Sequence, residues 1–307
     1  MFAPILVATD FSAPSEAALA YGRRLAESTG ARLHVLHVVD NLFMRAVLGD
    51  PRDYETAALR QIQDRMPAQA GGPAAIMAVE RSDEPADEII SYARVHGIEL
   101  IVMGTHGRGR MAHLLLGSVA EKIARTAPCP VLTLREMAPS SGANGLRILV
   151  PTDFSPCSDA ALDYAKRMAA RLRGSIRLLH ILEHSAVAPS PGSEMFMPEP
   201  PQMRQERVAT AQSQLSRRVL ADSPSRVEVT TDVLFGPTGA MITAYAGDNG
   251  FDVIIMGTHG RTGLAHLLMG SVAESVIRTA PCPVLTVKSV HADKTQPATT
   301  EPASAAV

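Results

Sequence analysis

A stretch of 33 residues occurs twice in this chain. Met103 to Arg135, MGTHGRGRMAHLLLGSVAEKIARTAPCPVLTLR, returns as Met256 to Lys288, MGTHGRTGLAHLLMGSVAESVIRTAPCPVLTVK, and a gapless alignment agrees at 24 positions. A chain that repeats so long a block has to find room for it twice, so the 307 residues are expected to form two equivalent units. Each copy holds Gly-x-x-Gly, nine residues and then Gly-Ser: Gly104, Gly107, Gly117 and Ser118 in the first, Gly257, Gly260, Gly270 and Ser271 in the second.

The surroundings of these glycines suggest an anion cradle. Glu99-Leu-Ile-Val-Met103 and Asp252-Val-Ile-Ile-Met256 are short β-branched apolar runs of the kind that form buried parallel strands, which puts the glycines at strand ends. Glycine there permits φ > 0 and close backbone approach, leaving peptide N–H groups to face an anion. Ser118-Val-Ala-Glu121 and Ser271-Val-Ala-Glu274 read as capping boxes, so a helix N-terminus is expected directly after each Gly-Ser pair, where its amides and dipole suit phosphate oxygens. Glycines that only turn the chain and serines that only cap helices are the alternative, and two copies with intact spacing count against it. No Gly-Lys-Ser/Thr follows the glycines, and Gly107-x-Gly109 lacks the third glycine of a dinucleotide fingerprint.

The rest of each unit alternates strand and helix. Ile5 to Thr9 ends at Asp10 before a helix of Ser12 to Ser28; Ile148 to Thr152 ends at Asp153 before Ser155-Pro156, an offset of 143 residues. Second strands follow at Arg32 to Val39 and Ser175 to Leu182, with His37 and His180 in register. By the glycine motifs the offset has grown to 153 residues, so ten extra residues lie between the second and third strands of the second unit, where five prolines between Pro189 and Pro201 indicate an irregular loop. Third strands at Ala75 to Glu80 and Val227 to Leu234 lead to helices bearing Ile89 and Ile242. Five alternations per unit predict two tandem α/β domains, each a doubly wound parallel sheet with ligand at the carboxyl ends of its strands. The expected boundaries are 1–138, a linker at 139–145, a second domain at 146–290 and a disordered tail at 291–307.

Composition narrows the class further. A formal net charge of −2 offers no general attraction to nucleic acid or an anionic membrane. No run approaches the roughly eighteen apolar residues of a membrane helix, and MFAPILVATDFS lacks a signal peptide's basic start and cleavage site, so a cytoplasmic protein is expected. Cys129, Cys157 and Cys282 have no metal-type spacing and are expected to be buried free thiols.

The repeated block closely resembles the universal stress protein family, whose ATP-binding members carry Gly-x-x-Gly, nine residues and Gly-Ser/Thr; the resemblance covers both halves. It implies strand order 3-2-1-4-5 in each unit. It also implies that the last strands, Pro130 to Arg135 and Pro283 to Lys288, pair with each other as subunits do in dimeric relatives, giving an internal pseudo-dimer and leaving a further homodimer open. The implied cofactor is ATP, with Mg²⁺ as an option near Asp10 and Asp153. Residue by residue, the resemblance assigns nucleotide contacts to Ala8, Thr9, Asp10 and Val38, to Met103, Gly104, Gly107 and Arg108, and to Gly117, Ser118 and Val119. In the second unit it assigns them to Pro151, Thr152, Asp153 and Ile181, to Met256, Gly257, Gly260 and Arg261, and to Gly270, Ser271 and Val272.

Each assignment has a plainer reading. Asp10 and Asp153 would serve equally as Asx-type caps, Met103 and Met256 as core, and Arg108 and Arg261 as solvated surface charges. His106 and His259 lie in the glycine loop, but no carboxylate orients either in the local sequence, so no catalytic residue is assigned. The first loop has Gly109-Arg110 where the second has Thr262-Gly263, so the two sites need not behave alike. The leading expectation is an ATP-binding sensor or regulator of the stress response with little or no hydrolysis. A slow ATPase or nucleotidyl or phosphoryl transferase, and a nucleotide-free dimerisation scaffold, are the alternatives.

Overall fold

A computed structural model of the chain describes residues 4–40, 50–66, 74–107, 116–135, 145–183, 186–187, 197–220, 227–260 and 269–288. The first unit runs β1 (Ile5–Ala8), α1 (Ala13–Thr29), β2 (Leu33–Asp40), α2 (Pro51–Arg65), β3 (Ile76–Ser82), α3 (Pro85–Val95), β4 (Leu100–Gly104), α4 (Ser118–Thr126) and β5 (Val131–Leu134). The second runs β6 (Arg147–Pro151), α5 (Pro156–Leu172), β7 (Ser175–Leu182), β8 (Ala186–Val187), β9 (Met197–Pro198), α6 (Pro201–Leu220), β10 (Glu228–Phe235), α7 (Thr238–Asp248), β11 (Val253–Gly257), α8 (Ser271–Thr279) and β12 (Val284–Val287). The ten-residue insertion is thus not wholly irregular, because β8 and β9 pair antiparallel within it.

The inner strands are buried because helices cover both faces of the sheet: every residue of β1, β5 and β12 is buried. The edge strands β3 and β10 mix exposed and half-buried positions, as befits their place. Helix α1 carries proline in its first turn and ends on Gly30, at φ 69°, whose N–H closes on the Ala26 carbonyl.

A single 10-stranded sheet has the order β10-β7-β6-β11-β12-β5-β4-β1-β2-β3. Each half reads 3-2-1-4-5 from its outer edge inward, and within each half the pairings are parallel. The two last strands meet antiparallel, Val284 opposite Thr133, Leu285 opposite Leu132 and Thr286 opposite Val131. The expected pairing of the last strands is therefore present, and it removes two apolar edges that would otherwise template aggregation. Two buried hydroxyls close the seam: Thr133 Oγ1 donates to the Val284 carbonyl at 3.2 Å and Thr286 Oγ1 to that of Val131 at 3.3 Å. On the α1 and α5 face one hydrophobic cluster crosses the seam, taking in Leu132, Leu134, Leu285 and Val287. On the other face the two units keep separate clusters, with Leu116 packed against both.

The units differ beneath α3 and α7. In the first, buried His34 meets the Tyr92 hydroxyl through Nδ1 at 3.0 Å and lies 5.4 Å from the His96 ring, centre to centre. In the second, Arg177 stands at the corresponding position and pairs with Asp232, which also accepts from Tyr245. Burial, then His96, then Arg32 hold the His34 pKa below its ordinary 6.5. Above that value the imidazole is neutral in both folded and unfolded chains. As pH falls below 6.5 the unfolded chain takes a proton that folded His34 resists, so stability drops until the folded pKa is reached. Urea unfolding at about pH 7.5 and about pH 5.5 should show a shallower pH dependence in His34→Gln than in the parent; equal slopes would contradict this.

Candidate functional site

Strand β4 runs into Gly104-Thr105-His106-Gly107, and the chain returns at Gly117, whose N–H donates to the Thr105 carbonyl at 2.9 Å. The Thr105 N–H is itself held by Leu134 O of β5 at 2.8 Å. The second unit repeats this with Gly270 to Thr258 O at 2.8 Å and Thr258 to Val287 O at 3.1 Å. Both loops are thereby hung on the ends of the two strands that form the seam.

The motif glycines are needed for close approach and not for left-handed backbone, contrary to one of the two reasons expected from sequence: none of the six has positive φ. A Cβ on Gly104 would lie 2.8 Å from Pro14 Cβ and 2.9 Å from the Pro14 carbonyl carbon; one on Gly257 would lie 2.9 Å from Cys157 Sγ. These glycines let α1 and α5 sit directly on the strand ends. A Cβ on Gly107 would stand 2.8 Å from Asp10 Oδ2, and one on Gly260 equally close to Asp153 Oδ2. The second glycine of each motif is therefore the place where the glycine loop meets the aspartate of the first strand.

The expected capping boxes do not form. Gly117 and Gly270 are the N-caps, Ser118 and Ser271 are the first helical residues, and no side chain caps either helix. Glu121 N–H bonds to Gly117 O as the first turn of the helix. A helix shifted one residue towards its N-terminus leaves α4 and α8 with no side-chain cap at their N-termini among the described residues.

Asp10 and Asp153 make the Asx-type cap considered for them. Oδ1 of Asp10 accepts from the Ser12 N–H at 3.1 Å and its hydroxyl at 2.5 Å, and Oδ1 of Asp153 accepts from the Ser155 N–H at 3.1 Å, which is the Asx-type turn. The second oxygen of each faces the glycine loop.

These elements line one cavity per unit, of about 280 Å³ in the first and about 260 Å³ in the second. The first brings together Ala8, Thr9, Asp10, Val38, Met103, Gly104, Gly107, Gly117, Ser118 and Val119. The second brings together Pro151, Thr152, Asp153, Ile181, Met256, Gly257, Gly260, Gly270, Ser271 and Val272. Met103 and Met256 also belong to the hydrophobic clusters below, so the core reading holds for them at the same time. Arg108 and Arg261 lie outside the described residues, as do Gly109-Arg110 and Thr262-Gly263.

Sequence reasoning passed over part of the lining. Leu36 and Leu179 come from the second strands, Pro85 and Ile89 from α3, and Thr238 and Ile242 from α7. The helix after the third strand necessarily passes the carboxyl edge, so the constant offset of 153 could have brought in the Pro85/Thr238 and Ile89/Ile242 pairs. Thr105 and Thr258 are also lining residues; each hydroxyl meets Nδ1 of the next histidine at 2.8 Å. The Nε2 atom of His259 is buried with no hydrogen-bond partner among the described residues.

The three thiols are free. Cys157 is buried as expected, while Cys129 and Cys282 are partly exposed, a correction to the sequence reading. Desolvation pushes both of the latter up to about 12, which leaves little thiolate for reaction. Among the described residues no cluster of three metal-ligating side chains occurs, and no helix is long and apolar enough to cross a membrane.

Comparison with known proteins agrees with this architecture. A universal stress protein of Mycolicibacterium smegmatis is 24% identical over 295 residues, covering 92% of this chain and 96% of that protein. One from Mycobacterium tuberculosis is 29% identical over 198 residues, and the match spans only 62% of either chain. The crystal structure of a universal stress protein from Archaeoglobus fulgidus superposes with a TM-score of 0.64 at 26% identity, covering 93% of this chain and 96% of that one. The family model of the universal stress proteins matches twice, over residues 1–135 and 146–288. With both halves matched and both halves folded alike, the chain belongs to the universal stress protein family as a tandem member.

Proposed function

We propose that each unit binds one adenine nucleotide, ATP foremost, and that the chain acts as a nucleotide-dependent sensor or regulator in the stress response. The observation that carries this reading is a cavity formed twice from the same parts: a glycine loop, a strand-end aspartate and a helix first turn with no side-chain cap. Amides of Ser118 and Val119, and of Ser271 and Val272, would serve phosphate oxygens. Asp10 and Asp153 keep an oxygen at the glycine loop suited to Mg²⁺ or a ribose hydroxyl. Val38 and Met103, with Ile181 and Met256, would flank the nucleoside. The orphaned Nε2 of His259 is a further polar atom that a ligand could satisfy. Arg108 and Arg261 would lend charge. The working domains are 1–138 and 146–290, in a cytoplasmic protein that acts through its internal pseudo-dimer or a further homodimer.

Binding without turnover is the form of this proposal. Fast phosphoryl transfer wants charged clamps and a positioned base. The glycine loops and helix first turns would offer neutral amides to a phosphate, and Nδ1 of His106 and of His259 is engaged by a threonine hydroxyl. With saturating ATP and Mg²⁺, hydrolysis should fall far below the median enzyme rate of about 10 per second. Turnover in that range, abolished by replacing His106 and His259, would overturn the reading. Mass spectrometry of small molecules released by heat from the purified protein should find an adenine nucleotide.

A further inference from the structure

Two phenylalanines occupy the left-handed region at equivalent places, Phe11 at φ 63° and Phe154 at φ 67°. A bulky residue there is strained, and such strain persists only where the surroundings over-determine it. Each phenylalanine directly follows the aspartate that faces the glycine loop.

The surroundings are the same in both units. Thr9 Oγ1 accepts from the Phe11 N–H at 3.1 Å, and Thr152 Oγ1 from Phe154 at 3.0 Å. His37 and His180, from β2 and β7, each place Nδ1 2.7 Å from the carbonyl of Thr9 or Thr152. A carbonyl can only accept, so Nδ1 carries the proton in each. The same imidazoles pack on the phenyl rings, with centroids 4.5 Å apart in the first unit and 4.3 Å in the second. On each ring a guanidinium stands as well, Arg65 at 5.2 Å and Arg218 at 4.8 Å. The guanidiniums are held by Glu16 and Asp159, which occupy the same place in α1 and α5.

We infer that His37 and His180 are positioning residues: each fixes the strand-end carbonyl and the following phenylalanine, so that the aspartate between them presents its second oxygen at the glycine loop. The role rests on the nucleotide-binding reading for its functional consequence, not for its geometry. His180 also lines the second cavity, whereas His37 is not among the lining residues of the first. The first unit therefore isolates positioning from contact, and the second serves as an internal control.

In the full chain, His37→Leu should weaken ATP at the first site by roughly tenfold and leave the second unchanged, because one partly buried hydrogen bond and a ring contact are lost. Adding Phe11→Gly should restore the first site to within about threefold, since glycine adopts the left-handed turn without a clamp. A purely structural role gives no such rescue. Unchanged affinity in His37→Leu, equal weakening at both sites, or no rescue would each overturn the inference. If His37→Leu does not fold, Phe11→Val and Phe11→Gly decide: both lose the ring, and only valine should lose the site. If the parent binds no nucleotide, the proposed function falls. A ligand-free crystal structure of His37→Leu still decides the clamp, which stands if Phe11 leaves positive φ and fails if it does not.

Discussion

Replacing Gly117 by valine should remove one nucleotide site from the chain and leave the other intact. A Cβ on Gly117 would lie 3.2 Å from the Thr105 carbonyl oxygen and 3.6 Å from His106 Cα, and branching adds two methyl groups to that crowded point. Gly270 meets the same obstacle, at 3.3 Å from Thr258 O. The substitution thus acts through the protein's own backbone, by pushing the glycine loop off the helix N-terminus. Gly117 has φ −63° and ψ 141°, which any residue adopts, so α4 itself should persist. Losing two or three amide–phosphate hydrogen bonds, at about 1.5–3 kcal/mol each, weakens binding by at least about a hundredfold. Titration calorimetry should show stoichiometry dropping from two to one in either variant and to none in the double variant. If Gly117→Val still binds two, close approach of the nucleotide to the α4 N-terminus past Gly117 is not what holds the first site.

The second large effect is expected at the seam. Leu285 is fully buried opposite Leu132, in the cluster that runs beneath both units. Leu285→Asp would bury a carboxylate within the hydrophobic cluster, at a cost of about 4 kcal/mol or more. Leu285→Met, which conserves volume, should cost less than about 1.5 kcal/mol. Urea unfolding should show the aspartate variant losing most of its stability. A change within about 1 kcal/mol of the parent would mean that the two halves are stable independently of the seam.

The architecture was legible because the repeat and the apolar runs are local signals. Ile5 to Ala8 and Leu100 to Met103 are apolar throughout, and Val131 to Leu134 is broken only by Thr133, as strands covered on both faces require; the pairing of the last strands came from the family resemblance. What escaped was mostly non-local. Gly107 looks like a residue chosen for φ, yet its constraint is the Asp10 carboxylate, almost a hundred residues earlier in the chain. Ser118 looks like a cap, yet the Thr105 carbonyl draws the chain in so that Gly117 takes that place. Nothing in Asp-Phe-Ser announces a left-handed phenylalanine, because the imidazole and guanidinium that hold it come from other elements. The Thr105 to His106 contact, by contrast, lay within the repeated block and was available to a closer reading of neighbours.

The central claim, one adenine nucleotide per unit, is tested most directly by native mass spectrometry of the intact chain titrated with ATP and Mg²⁺. Two successive mass increments of one nucleotide each are expected, both displaced by unlabelled competitor when a labelled analogue is used. A spectrum that stays at the mass of the bare chain under saturating ATP would contradict it.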